Sequence, residues 1–118
     1  MSSYKKFKWH KVADGEYDIP FGPNNMAKVS AENKNICISK TGDGLKACAA
    51  ICPHAGGILS DGSIDNAGNI VCPIHRYRFS LMNGRNTSGE GYHLKVYPVE
   101  IRENGIFVGI EDKSLFSW

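Results

Sequence analysis

Cys52-Pro53-His54 is followed, after the seventeen residues 55 to 71, by Cys72-Pro73-Ile74-His75. A fold that uses these residues together must bring two short loops, each with one thiolate and one imidazole, to a common point. One zinc held by two Cys and two His needs its ligand atoms roughly 3.3 to 3.8 Å apart around a tetrahedron. Cys52 and His54 make that awkward, because residues two apart on extended chain have backbones separated by about 6.6 Å. Pro53 adds to the difficulty by fixing its own φ and disfavouring helix at Cys52. Two irons bridged by sulfide relax the requirement, since each loop then sends its Cys to one iron and its His to the other. A structural zinc site is the alternative, separable by colour and metal content.

Around these residues the chain resembles the Rieske family, in which two His replace two Cys on one iron of a [2Fe-2S] cluster. The first loop, Cys52-Pro-His54-Ala-Gly-Gly57-Ile-Leu-Ser-Asp-Gly62, is similar to the family's first ligand loop. The second, Cys72-Pro-Ile-His75-Arg-Tyr-Arg-Phe-Ser-Leu-Met-Asn-Gly84, continues into an aromatic strand and a Gly-containing turn. By position the resemblance implies that Cys52 and Cys72 hold the buried iron, and His54 and His75 the iron nearer solvent. The implied fold is a Rieske-like antiparallel β-sandwich with a small inserted cluster-binding subdomain at about 52–84.

The surroundings of the ligands resemble the low-potential branch. The respiratory type carries an extra Cys in each loop, joined as a disulfide; Gly57 and Ile74 stand there in this chain. Its hydrogen-bonding Ser and Tyr are matched by Tyr77 and Phe79. A hydrogen bond to a charged acceptor contributes about 1.5 to 3 kcal/mol, equivalent to at most about 65 to 130 mV for one electron. Without two such donors the midpoint is expected in the lower part of the roughly −150 to +300 mV Rieske range. The backbone amides of Gly56, Gly57 and the 73 to 77 turn are the expected substitutes. Reduction adds negative charge at the histidine-bound iron, so the midpoint is expected to fall at high pH.

The 118 residues suit one domain over 1–118 with a modest core. Short strand-like runs between Gly, Asn and Asp turns predict an all-β antiparallel domain. Strands are expected at Lys8 to Lys11, Ala27 to Ala31, Asn35 to Lys40, Leu45 to Ile51, Asn69 to Cys72, Arg78 to Leu81, His93 to Tyr97, Val99 to Arg102 and Ile106 to Glu111. Asp14 to Asn25, with Pro20 and Pro23, reads as an irregular loop with room for a turn of helix. Neither a signal peptide nor a membrane span is visible, so a cytoplasmic protein is expected.

A tight turn at Gly42-Asp43 would pair 40 with 45, 38 with 47 and 37 with 48. Cys37 and Cys48 then become cross-strand neighbours, read as two small residues filling a sheet face in a reducing compartment. Trp9, Tyr97 and Phe107 read as core; Arg76 and Arg78 flank the second loop and read as solvated strand ends, with steering of an acidic partner by Arg76, beside a ligand, as the alternative. Asn86 to Gly91 reads Asn-Thr-Ser-Gly-Glu-Gly where relatives place a proline-containing cap, which predicts a more flexible cap. The tail Ser114 to Trp118 either packs on the sheet or forms a contact surface.

The resemblance implies a one-electron carrier and no catalytic residue. The implied partners are a flavin-dependent NAD(P)H reductase as donor and a terminal non-haem iron oxygenase as acceptor. A monomer with no nucleic-acid or membrane partner is expected. The net charge of +2 survives cluster binding, because the core adds as much positive charge as the two thiolates remove. Many ferredoxins of the oxygenase type are acidic, so this is a departure. An oxygenase is disfavoured: of four His, only His10 and His93 remain for a mononuclear site needing two His and a carboxylate. A further alternative is the small subunit of a larger reductase such as nitrite reductase, although that subunit commonly lacks the four ligands.

Overall fold

Strand β3 (Lys34–Thr41) is buried on both faces and thereby sets the layering of the molecule. Ile36 and Ile38 point one way, Cys37 and Ser39 the other, and all four are fully buried. Because side chains alternate along a strand, apolar material must lie on both sides of it. The computed structural model, which describes residues 6–54 and 56–112, supplies a second sheet on one side and the ligand loops on the other. Ser114 to Trp118 lie outside the described residues.

The middle layer has the order β2-β3-β4-β8, with β2 at Met26–Ala31, β4 at Gly44–Ala49 and β8 at Val96–Tyr97. The outer layer has the order β1-β10-β9, from β1 (Phe7–Ala13), β9 (Val99–Arg102) and β10 (Gly105–Glu111). Ile36 and Ala47 meet Val108 and Ile110, while Ile38 and Leu45 meet Ile106. This is the sandwich core. All named strand pairs are antiparallel, so the expected all-β architecture holds.

The β3–β4 hairpin has the predicted register, with Lys40 opposite Leu45, Ile38 opposite Ala47 and Cys37 opposite Cys48. The Thr41 hydroxyl donates to the Gly44 carbonyl and accepts from the Asp43 amide, which ties the turn. Cys37 and Cys48 are free thiols. The hydrogen-bonded neighbouring Cys37 thiol, and then burial, push Cys48 above the usual thiol range.

A third sheet, β5-β6-β7 (Ser63–Ile64, Asn69–Val71, Arg78–Ser80), lies within the 52–84 segment. Its Ile70 and Phe79 pack with Cys37, Cys48, Leu59, Leu81 and Leu94 in one cluster that also contains Cys52 and Cys72. Two elements escape the sequence reading: β5 and a 3-10 turn at Leu59–Asp61. Both are too short for any periodicity. A 3-10 turn at Glu16–Asp18 occupies the loop where a helical turn had room. The expected strand from His93 is shorter, since pairing with β4 involves only Val96 and Tyr97. Trp9 and Tyr97 are half-buried, and Phe107 is buried beneath Arg102, whose guanidinium lies 4.3 Å from its ring centroid. Among the described residues no helix is long and apolar enough to cross a membrane.

Candidate metal centre

The two loops are built alike. In the first, the Cys52 amide donates to the Gly57 carbonyl at 2.8 Å; in the second, the Cys72 amide donates to the Tyr77 carbonyl, also at 2.8 Å. Each cysteine therefore opens a turn that closes five residues later. The turns need left-handed backbone at the fourth residue after each cysteine: Gly56 has φ 73° and Arg76 φ 59°, with His75 also at 64°. Glycine takes that conformation without penalty, whereas His75 and Arg76 hold it at a steric cost. The base of each loop is pinned, the first by the Ile51–Ile58 bridge and the second by the Val71–Arg78 pair.

This construction sorts the four candidate ligands by depth. Cys52 and Cys72 are 2% and 0% exposed in the core, His54 is half-buried, and His75 is exposed. The imidazole centroids stand 5.4 Å apart. Burial raises the Cys72 thiol pKa, opposed by the Ile74 amide that hydrogen-bonds its sulfur, while the adjacent Cys52 thiol reinforces the rise.

Two local features suit a cluster at this site. The Nδ1 of His54 is buried with no hydrogen-bond partner among the described residues, an unusual state for a buried polar atom and the state of a nitrogen left for a metal. At Gly57 a Cβ would lie 3.0 Å from Cys72 Sγ and 3.1 Å from Ile74 Cδ1, so a side chain there would crowd the sulfur and require its neighbours to shift.

Of the expected amide donors, Ile74 serves a sulfur. Gly56 does not: its N–H donates to the Cys52 carbonyl at 3.1 Å to close the first turn. Tyr77, in the position of the missing Ser, stacks flat on His54 at 3.9 Å between centroids and 20° between planes. Phe79 is fully buried and has no hydroxyl. Arg78 pairs with Asp65 at 2.9 Å, leaving Arg76 as the exposed cation beside His75. His10 lies on β1, 3.7 Å from Glu32, and His93 bridges to Arg85.

The segment from 86 to 91, where a more flexible cap is expected, is tied by side-chain hydrogen bonds. Asn86 donates to the Arg78 carbonyl, Ser88 and Glu90, and accepts from the Gly91 amide at 2.7 Å. The Ser88 hydroxyl donates to Glu90 and accepts from the Arg78 amide. Tyr92, which the sequence reading passed over, brings its ring to 5.2 Å from His54. The only available signal was the density of Asn, Ser and Thr, residues that hydrogen-bond local backbone.

The sequence model of the Rieske [2Fe-2S] domain matches residues 8–98. The ferredoxin component of the naphthalene 1,2-dioxygenase system of Pseudomonas aeruginosa is 27% identical over 95 residues, covering 80% of this chain and 88% of that protein. A nitrite reductase [NAD(P)H] of Emericella nidulans is 28% identical over 111 residues, which are 86% of this chain but 10% of that protein. Among solved structures, the complex of reduced oxygenase and oxidised ferredoxin in carbazole 1,9a-dioxygenase contains a chain with TM-score 0.70 and 27% identity. That match covers 85% of this chain and 91% of the other.

Proposed function

From the premise that this chain belongs to the Rieske [2Fe-2S] family, we propose that it carries single electrons from a flavin-dependent NAD(P)H reductase to a terminal non-haem iron oxygenase. In this reading Cys52 and Cys72 hold one iron, and His54 and His75 the other. When bound, the cluster takes up and releases one electron.

The protein's own part is to hold and shield. Buried Cys52 and Cys72 keep the sulfur side dry within the cluster of Leu59, Ile70 and Phe79. Tyr77 and Tyr92 restrict the His54 ring. His75 reaches solvent and offers the short exit that outer-sphere transfer needs. The graded depth of the four side chains, two in the core and one at the surface, is the observation that carries this reading. The ferredoxin components among its relatives are carriers rather than catalysts, and the oxygenase–ferredoxin complex supports an oxygenase as acceptor.

Iron, zinc and acid-labile sulfide are to be measured on anaerobically purified protein, with electron paramagnetic resonance after dithionite. Two irons and two sulfides per chain are expected; one zinc without sulfide would overturn the reading. The match to nitrite reductase favours a second reading, a small subunit of such an enzyme. Stopped-flow mixing of the reduced protein with oxygenase or with nitrite reductase separates the two by which one reoxidises it.

A further inference from the structure

The polar clasp from Asn86 to Gly91 does more than close the loop. Glu90 sits in it with one carboxylate oxygen accepting from both Asn86 Nδ2, at 2.9 Å, and Ser88 Oγ. Those two side chains are themselves anchored to the Arg78 backbone, Asn86 through the carbonyl and Ser88 through the amide. Arg78 directly follows Tyr77, the residue stacked on His54, and Tyr92, two residues after Glu90, lies against the same imidazole. The carboxylate is therefore tethered from both sides to the group that covers His54.

Three other features carry less. The polar cleft between the β3–β4 turn and residues 63–68 is lined by Asp65, whose carboxylate is already occupied by Ala67, Asn69 and Arg78. The Cys37–Cys48 pair is fully buried, and nothing in the structure shows what covers the groove beside Met82 and Val96.

We propose that Glu90 is a potential-setting residue: the clasp holds its negative charge beside the histidine-ligated iron, where it opposes the electron and lowers the midpoint. Asn86 acts through it as a positioning residue. This rests on the ligand assignment above, since only a centre at His54 and His75 places the added electron near Glu90.

The test is a spectroelectrochemical titration of cluster-loaded protein, with iron content and the visible spectrum recorded first. Glu90→Gln keeps an oxygen to accept from Asn86 but removes the charge; it is expected to favour reduction about threefold, a rise of about 30 mV at 59 mV per decade. Glu90→Lys doubles the charge change and is expected to give about tenfold, about 59 mV. Both shifts should shrink between about 0.01 and about 1 M salt, as screening shortens from about 30 to about 3 Å. Asn86→Ala is expected to raise the midpoint by less than Glu90→Gln, and Glu103→Gln, in the distant β9–β10 turn, to leave it unchanged. A normal cluster with an unmoved midpoint in both Glu90 variants would overturn the inference. So would equal shifts for Gln and Lys, because a structural effect does not scale with charge. Absence of a two-iron cluster in the unsubstituted protein would instead overturn the ligand assignment.

Discussion

Single residues around the centre act through space they leave empty or charge they hold. Gly57 is the clearest case: its missing side chain is where Cys72 Sγ and Ile74 Cδ1 approach. Gly57→Ala is expected to push the second loop outward and lower cluster occupancy severalfold, measured as iron and sulfide per chain; full occupancy would show that the loop gives way freely. Asp65 is a second case. Burial favours its neutral form, but the amides of Asn69 and Ala67, the Asn69 side chain and Arg78 outweigh this and lower its pKa. A carboxyl lowered by folding contributes stability above its unfolded value of about 3.9 and loses it as pH falls through the lower folded value. Asp65→Asn should therefore reduce stability at neutral pH and flatten the acid limb of a stability–pH curve. An acid limb as steep as that of the unsubstituted protein would count against it. Spacing alone singled out 52, 54, 72 and 75 as candidate ligands. The left-handed turn at His75 and Arg76 was not legible in the chain, because neither residue type announces it.

Elements divide into those that periodicity reveals and those that only pairing creates. Strands β1 to β4, β9 and β10 are long enough for alternation or turn signals to appear in the chain. The two-residue strands β5 and β8 exist because a neighbour supplies hydrogen bonds. On the outer face of the β1-β10-β9 sheet, Arg102 lies over Phe107 and 5.5 Å from the Trp9 ring centroid. A cation over an aromatic face contributes about 0.5–1 kcal/mol at exposed sites, and the arginine stem also covers apolar surface. Arg102→Ala should destabilise by about 1 kcal/mol in urea unfolding, with Arg102→Met recovering the packing part. Equal losses for the two would assign the whole effect to charge. In the 86–91 loop, which lacks proline, side-chain hydrogen bonds from Asn86 and Ser88 tie the chain to the Arg78 backbone.

Across the whole molecule, the middle sheet faces two cores, one against β1 and β10 and one against the ligand loops. Iron removal by a chelator should release the loops while the first core persists. In hydrogen exchange, the Cys52, Gly56 and Cys72 amides are expected to lose protection and those of Ile36 and Ile38 to keep theirs; uniform loss would mean that the cluster supports the entire fold. The loaded protein is expected to have a midpoint below about +100 mV, within the Rieske range, because Phe79 has no hydroxyl and Tyr77 is stacked on a histidine. By itself the sequence determined the antiparallel class and the Cys37–Cys48 register and offered the four candidate ligands, since alternation, turn length and residue chemistry are local properties. Only the tertiary structure decided how deep each ligand candidate lies and that Tyr77 and Tyr92 lie against His54. Those depend on which loops meet across the β5-β6-β7 sheet, and contact between residues distant in the chain leaves no periodic trace in it.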